Sequence, residues 1–311
     1  MSSMPDVDDF SLKDANAGMN THYRVLVTGS DGFVGRHLVP YLAERGYRVT
    51  AASRVTTAFK HPNVVAAKLP DLSTDCDWSP LIDECDAIVH LAGIAHRSVD
   101  VELYDRVNRE ATDTLAREAF AKGKHLVFIS SIAAQSGPYS DRELTEDDTA
   151  KPTNPYGKSK LAAELCIQAA GVSYTILRPV GIYGPGAKGN FAALERIAGL
   201  RIPLPIKGLT AHRSVLSIGN FCSAVVRVLN DPRARGEIFI VSNPTPLTVA
   251  EVFTRCRADS DSPPLLLSVP AKLLEISLKA AGLTSLWSRI GRPLVARPRK
   301  LLSLGWEPID A

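Results

Sequence analysis

The chain is poor in cysteine, and its cysteines are scattered. Cys76, Cys85, Cys166, Cys222 and Cys256 are the only five in 311 residues, and no two form a CxxC pair. An odd, dispersed set in a chain of enzyme size argues against a disulfide framework and a zinc site. It points to a reducing compartment, which we read as the cytoplasm. Excess charge is also missing. The net charge of +3 is too small to suggest a nucleic-acid partner, and the basic run Ala296 to Lys300 reads as a solvated face or a phosphate contact. No apolar run reaches the roughly 20 residues of a membrane span. The nearest, Leu265 to Leu283, is interrupted by Pro270, Lys272, Glu275 and Lys279. Its spacing suggests an amphipathic helix packed on a domain, with docking on a membrane surface as the other reading. There is no internal repeat. Residues 1–18 are polar and acidic without the apolar stretch of a signal peptide. They are expected to form a flexible extension, and Met19 would make a natural start.

What the chain does have is regular alternation. Short, almost wholly apolar runs such as "YRVLVT", "AIVHLA" and "HLVFISS" are separated by helical patterns. Strands that are apolar on nearly every residue belong in a parallel sheet covered on both faces. The expected fold class is therefore α/β, a doubly wound parallel-sheet Rossmann fold. After Arg178 the texture becomes rich in Gly and Pro. The expectation is a nucleotide domain over 19–180, then a smaller, mainly substrate-binding region over 181–311, with segments at about 213–242 returning to the sheet.

In "VLVTGSDGFVGRHL" the first strand runs into Gly29, Gly32 and Gly35, spaced three apart, and then into a helix. One glycine turns the chain, one lets the backbone approach a pyrophosphate, and one packs the helix close to the sheet. Ser30, Asp31, Phe33 and Val34 complete the turn. The helix N-terminus supplies unpaired N–H groups and a positive dipole end. At the end of the second strand an acid would bond the 2′-OH of NAD, and a nearby Arg would accommodate the 2′-phosphate of NADP. Ser53 and Arg54 stand there, which favours NADP(H) over NAD(H), although Arg54 also suits a loop cation or a stack on adenine. After the third strand come Asp71 and Leu72. Asp71 is a candidate for the adenine amino group, or a loop and helix-cap residue.

Tyr156 and Lys160 in "NPYGKSK" lie four apart at a helix start, on one face. A free tyrosine titrates near 10, too high for neutral-pH acid–base work. An adjacent ammonium would favour the phenolate and bring it into range. The fifth strand ends in Ser130-Ser131, where strand ends face the ligand crevice. A serine there could bond a substrate carbonyl beside the tyrosine. Asn108 could order a proton-relay water at the cofactor, or sit on a helix surface.

The motifs "VTGSDGFVG", "VHLAGIAH", "FISSIAA", "NPYGKSK", "LRPVGIYGPG", "RSVLSIGNF" and "LGWEP" resemble, in order, those of the extended short-chain dehydrogenase/reductases. Within them the chain is similar to the nucleotide-sugar epimerase, dehydratase and reductase branch, from about Tyr23 to Pro308. The resemblance implies a catalytic triad of Ser131, Tyr156 and Lys160, with Ser130 as the alternative serine. It places Lys160 also on the nicotinamide ribose, and Leu91, Ala92 and Gly93 along the cofactor. Arg213 matches the family arginine that contacts a UDP-sugar diphosphate, and Lys188 and Asn190 are candidates for diphosphate or uracil. It further implies a homodimer paired through the helix after Asn154.

Two features differ from the 4-epimerases: Ser53-Arg54 instead of an acid, and Val180-Gly181 where Asn is usual. The chain looks most like bacterial UDP-4-keto-6-deoxy-N-acetylglucosamine reductases, which form UDP-N-acetylquinovosamine for surface polysaccharide. The implied reaction is hydride transfer from NAD(P)H to C4 of the keto sugar, with Tyr156 protonating the alkoxide. The alternatives are a UDP-hexose 4-epimerase holding NAD, and a non-catalytic NADP sensor or scaffold.

Overall fold

The computed structural model describes residues 23–55, 59–95, 99–187, 191, 196–197, 202–258 and 266–310. The 1–18 extension, Lys188 and Asn190 lie outside the described residues. The apolar runs form strands β1 (Arg24–Thr28), β2 (Arg48–Ser53), β3 (Val64–Lys68), β4 (Ala87–His90), β5 (His125–Ile129) and β6 (Ser173–Pro179). Two short strands, β7 (Gly181–Tyr183) and β8 (His212–Arg213), come next. They are followed by β9 (Val215–Ser217), β10 (Glu237–Val241) and β11 (Leu247–Thr248). The main sheet is seven-stranded and parallel in the order β3-β2-β1-β4-β5-β6-β10. This is the doubly wound Rossmann arrangement.

Alternation along each strand sends neighbouring residues to opposite faces. Val25 and Val27 enter one core with Leu38 and Leu42 of α1 (Phe33–Glu44) and Phe221 of a later helix, Ile218–Asn230. Leu26, between them, enters the other core. There it joins Leu115 of the helix Ala111–Ala121 and Ile167 of the helix Pro155–Ala169. Because both faces are covered, an unbroken apolar strand is stable here. β10 returns from beyond residue 180 to extend the sheet beside β6. The remaining short strands form two small two-stranded sheets, β7 with β9 and β8 with β11. The amphipathic pattern at 265–283 contains a helix over Ala271–Ala280 with no buried residue. Among the described residues, no helix is long and apolar enough to cross a membrane, and no group of His, Cys, Asp and Glu could hold a metal ion.

Candidate active site

An open parallel sheet carries its ligand crevice where the strand order reverses, here at the C-terminal ends of β1 and β4. The glycine turn leaves β1 at that place. Gly29 has φ +72°, and a Cβ on it would stand 2.8 Å from the Ala92 backbone nitrogen. A Cβ on Gly35 would come within 2.5 Å of the Gly29 carbonyl oxygen. The turn is thus pressed onto the segment after β4, with α1 pressed onto the turn. Gly32, the N-cap of α1, supplies no capping side chain, and no acid occupies the first helical turn. The leading N–H groups, from Phe33 and Val34 onward, are left for an anion. Asp31 is held by Arg36, whose Nε donates to its carbonyl at 2.9 Å. The buried Ser30 hydroxyl has no hydrogen-bond partner among the described residues. These features fit a dinucleotide pyrophosphate.

At the end of β2, Ser53 is buried and its hydroxyl donates to the Val55 carbonyl at 2.7 Å. Arg54, beside it, is exposed. Asp71 accepts from the Ser73 N–H at 3.0 Å and the Ser73 hydroxyl at 2.7 Å. These bonds hold its carboxyl below the usual carboxylate range, and the Arg54 charge adds to the effect. The loop-capping role therefore occupies one Asp71 oxygen, and Leu72 is buried in the core beneath.

Leu91, Ala92 and Gly93 follow β4. The Ala92 N–H donates to Thr28 Oγ1 at 3.2 Å. His90 lies between Thr28 Oγ1 (2.8 Å) and Thr112 Oγ1 (3.3 Å). Burial, assisted by Lys160, pulls His90 down to about 3, so the imidazole is neutral. Asn108 lies on neither a helix surface nor a wet face. It sits in a π-helical turn, Asp105–Glu110, between the helices Val101–Tyr104 and Ala111–Ala121. The wider turn brings its side chain inward. Oδ1 accepts from the Ile94 N–H (2.8 Å), while Nδ2 donates to the Ile94 carbonyl (3.1 Å) and Ser159 Oγ (3.0 Å). It ties the loop after β4 to the helix carrying Tyr156.

That helix, Pro155–Ala169, starts on Asn154, whose Oδ1 accepts from the Gly157 N–H at 2.8 Å. A Cβ on Gly157 would collide with the Ala133 carbonyl. The short helix Ile132–Gln135 therefore packs directly against it, bringing Ser131 to Tyr156. Ser131 caps the short helix, accepting from the Ala133 N–H at 3.1 Å, and its side chain is close enough to Tyr156 to draw the Tyr156 pKa down. The Tyr104 ring lies 6.3 Å from the Tyr156 ring. Lys160 Nζ donates to the Ile129 carbonyl at 2.8 Å and lies 4.4 Å over the Phe128 ring. Burial pulls Lys160 down to about 8, opposed by Glu164.

The electrostatics correct one expectation. Burial pushes Tyr156 up to about 12, the Ser131 side chain draws it down, and Tyr104 adds to the rise. Lys160, turned to the Ile129 carbonyl, does not enter that balance. Tyr156 keeps its proton at neutral pH, as a free phenol does, and in this arrangement Lys160 does not bring it down into the working range.

Ser130 points the other way along the extended chain. It is buried and donates to Glu164 Oε1. Arg213 in β8 donates from Nη1 to the Arg292 carbonyl (2.7 Å) and from Nη2 to the Pro138 carbonyl (2.9 Å). Burial and the neighbouring Arg289 charge pull it down to about 10. Two of the contributors had gone unnoticed in the sequence. Glu164 follows Lys160 by four residues on the same helical face, a signal that was available. Tyr104 gave no local signal, because its contact with Tyr156 is tertiary.

Residues 25–242 match the family model described as "NAD dependent epimerase/dehydratase family". A UDP-glucose 4-epimerase of Vibrio cholerae is 31% identical over 91% of this chain and 90% of its own length. A ceramide reductase of Caulobacter vibrioides is 27% identical over 92% and 86%. A GDP-6-deoxy-D-mannose reductase of Pseudomonas aeruginosa is 31% identical over 68% and 72%. Among solved structures, MoeE5 in complex with UDP-glucose and NAD superposes with a TM-score of 0.72 at 24% identity, covering 93% and 94%. Human SDR39U1 with NADPH gives 0.70 at 20% identity, covering 92% and 95%. Matching that family model over most of its length, with the glycine turn and Rossmann sheet in place, the chain belongs to the NAD dependent epimerase/dehydratase family, within the extended short-chain dehydrogenase/reductases.

Proposed function

We propose that the protein reduces the 4-keto group of a UDP-4-keto-6-deoxy-hexosamine to the 4-hydroxy sugar, of the UDP-N-acetylquinovosamine type used for surface polysaccharide. The observation that carries this reading is that Ser131, Tyr156 and Lys160 converge at the helix Pro155–Ala169, with the Ser131 side chain close enough to Tyr156 to draw its pKa down. A reduction needs a proton donor at the carbonyl oxygen, and the Tyr156 hydroxyl is assigned that role, with the Lys160 ammonium assigned to lower its pKa once the cofactor orders the site. Bound NAD(P)H supplies hydride to C4. Tyr156 gives its proton to the oxygen, Ser131 bonds that oxygen, and Lys160 holds the cofactor ribose. Gly29 to Gly35 hold the pyrophosphate, Leu91 to Gly93 line the cofactor, and Asn108 fixes that lining. Arg54, exposed beyond β2, supports NADP(H) over NAD(H). Arg213, with Lys188 and Asn190, is assigned to the diphosphate side of a substrate held mainly by residues 181–311.

The second reading is a UDP-hexose 4-epimerase with tightly bound NAD, favoured by the identity to the Vibrio cholerae enzyme. The exposed Phe120 and Leu165, on the helices Ala111–Ala121 and Pro155–Ala169, suit a homodimer face, and the cytoplasm is the proposed compartment. The deciding experiment follows loss of nicotinamide absorbance with NADH and NADPH across a panel of UDP-4-keto sugars. Stoichiometric cofactor oxidation is expected. Sugar interconversion without added cofactor, on protein purified with NAD, would select the epimerase. Dinucleotide binding without hydride transfer to any sugar would leave a sensor or scaffold.

A further inference from the structure

Behind the Tyr156–Lys160 face lies a polar network that the proposed reaction does not use. Glu164, one helical turn beyond Lys160, is 1% exposed and accepts from three groups. Ser130 Oγ and Arg178 Nε donate to Oε1, the latter at 3.1 Å, and Arg178 Nη2 donates to Oε2 at 2.5 Å. Arg178 also donates to the Gln135 side-chain oxygen. Gln135 in turn donates to the Thr145 and Asp148 carbonyls at 2.9 and 2.8 Å. The network joins the Tyr156 helix, the ends of β5 and β6, and the loop 145–148.

A buried ion pair is a weak contributor to stability beside an apolar pair of similar volume. Its position suggests another use. By holding Ser130 inward, the network makes Ser131 the serine that faces Tyr156. It also sets one buried carboxylate a helical turn beyond Lys160, paired with a buried guanidinium. We propose that Glu164, balanced by Arg178, is a positioning residue that sets the charge state of Lys160 and so the pH range of dinucleotide binding. This rests on the reading of Lys160 as the ribose ligand.

The ionisable groups around the pair support an electrostatic role. His90 from β4 is neutral, Tyr156 keeps its proton, and Asp105 and Arg109 of the π-helical turn pair with each other. Glu164 and Arg178 pair with each other at 1% and 5% side-chain exposure, where solvent screens their fields little. Glu164 favours the ammonium of Lys160, and its pairing with Arg178 offsets part of that field. Removing either leaves the other uncompensated in a medium of low dielectric.

The test is the affinity for reduced nicotinamide dinucleotide, read by its fluorescence from pH 6 to 10 in the intact protein. In the unaltered enzyme affinity falls as Lys160 loses its proton. Glu164→Gln should move that limb down by about one pH unit, and Arg178→Gln should move it up by a similar amount. Opposite shifts are the signature, because a purely structural role weakens binding in both variants without moving the limb in opposite directions. If only one variant folds, as judged by circular dichroism, the sign of its shift decides. An unmoved limb in a folded variant, or shifts in the same direction, overturns the proposal. No sugar is used, so a wrong substrate assignment would show in the turnover assay and leave this titration intact.

Discussion

Tyr156 shows how environment decides what a side chain can do. The same phenol in water titrates near 10; half-buried beside Tyr104, it is pushed up by desolvation to about 12, with the Ser131 side chain drawing it back. Replacing it by Phe should lower turnover by about 10²–10⁴-fold while the dissociation constant for dinucleotide stays within a factor of a few. Full activity in the folded Tyr156→Phe protein would remove it from the mechanism. At the other end of the cofactor, Arg54 is exposed and its neighbour Ser53 is sealed. A cation on a phosphate contributes about 1.5–3 kcal/mol. Arg54→Asp should therefore weaken NADPH by tenfold or more and leave NADH little changed, as measured by isothermal titration. Equal effects on both cofactors would return Arg54 to the role of a loop cation.

At the scale of elements, the site depends on how closely two helices approach. Gly157 carries no Cβ where the Ala133 carbonyl sits, so the helix Ile132–Gln135 lies against Pro155–Ala169 and Ser131 reaches Tyr156. Gly157→Ala must push the helices apart by a fraction of an ångström or more. A misplacement of about 1 Å can cost 10²-fold in rate. The expected outcome is a fall in kcat of tenfold or more with dinucleotide affinity nearly unchanged, because the glycine turn is untouched. Loss of cofactor binding instead would mean that the helix carries the nucleotide site as well. The π-helical turn acts similarly. Without it, Asn108 would rotate away from Ile94 and Ser159, and the lining after β4 would lose its anchor.

At the scale of the whole molecule, two buried histidines make the sheet acid-sensitive. His90 is pulled down to about 3, by burial and by Lys160, and His125 to about 4, by burial and by Arg235. Both folded values lie below the unfolded value of about 6.5. The unfolded chain therefore binds these protons first as pH falls. The stability they contribute is present above about 6.5 and is lost progressively toward 4 and then 3, at about 1.4 kcal/mol per pH unit for each group. The melting temperature should fall steadily between pH 7 and 5, and His125→Gln should flatten part of that slope. A melting temperature independent of pH over that interval would contradict the burial argument.

The sequence by itself determined the parts that depend on local spacing. Period and apolar content specify strands and helices, and the three glycines of the β1–α1 turn need only their own φ freedom and close approach. Tyr156 and Lys160 share a face because four residues nearly complete a helical turn. Tertiary structure alone decided which serine faces inward, because Ser130 is held by Glu164, 34 positions along the chain, which is itself paired with Arg178. It likewise decided that Tyr156 titrates above a free phenol, that Asn108 braces a loop, and that Arg213 reaches the carbonyls of Pro138 and Arg292. The physical reason is common to all four. Acidity and side-chain direction follow from burial and from partners distant in sequence, which no local pattern encodes.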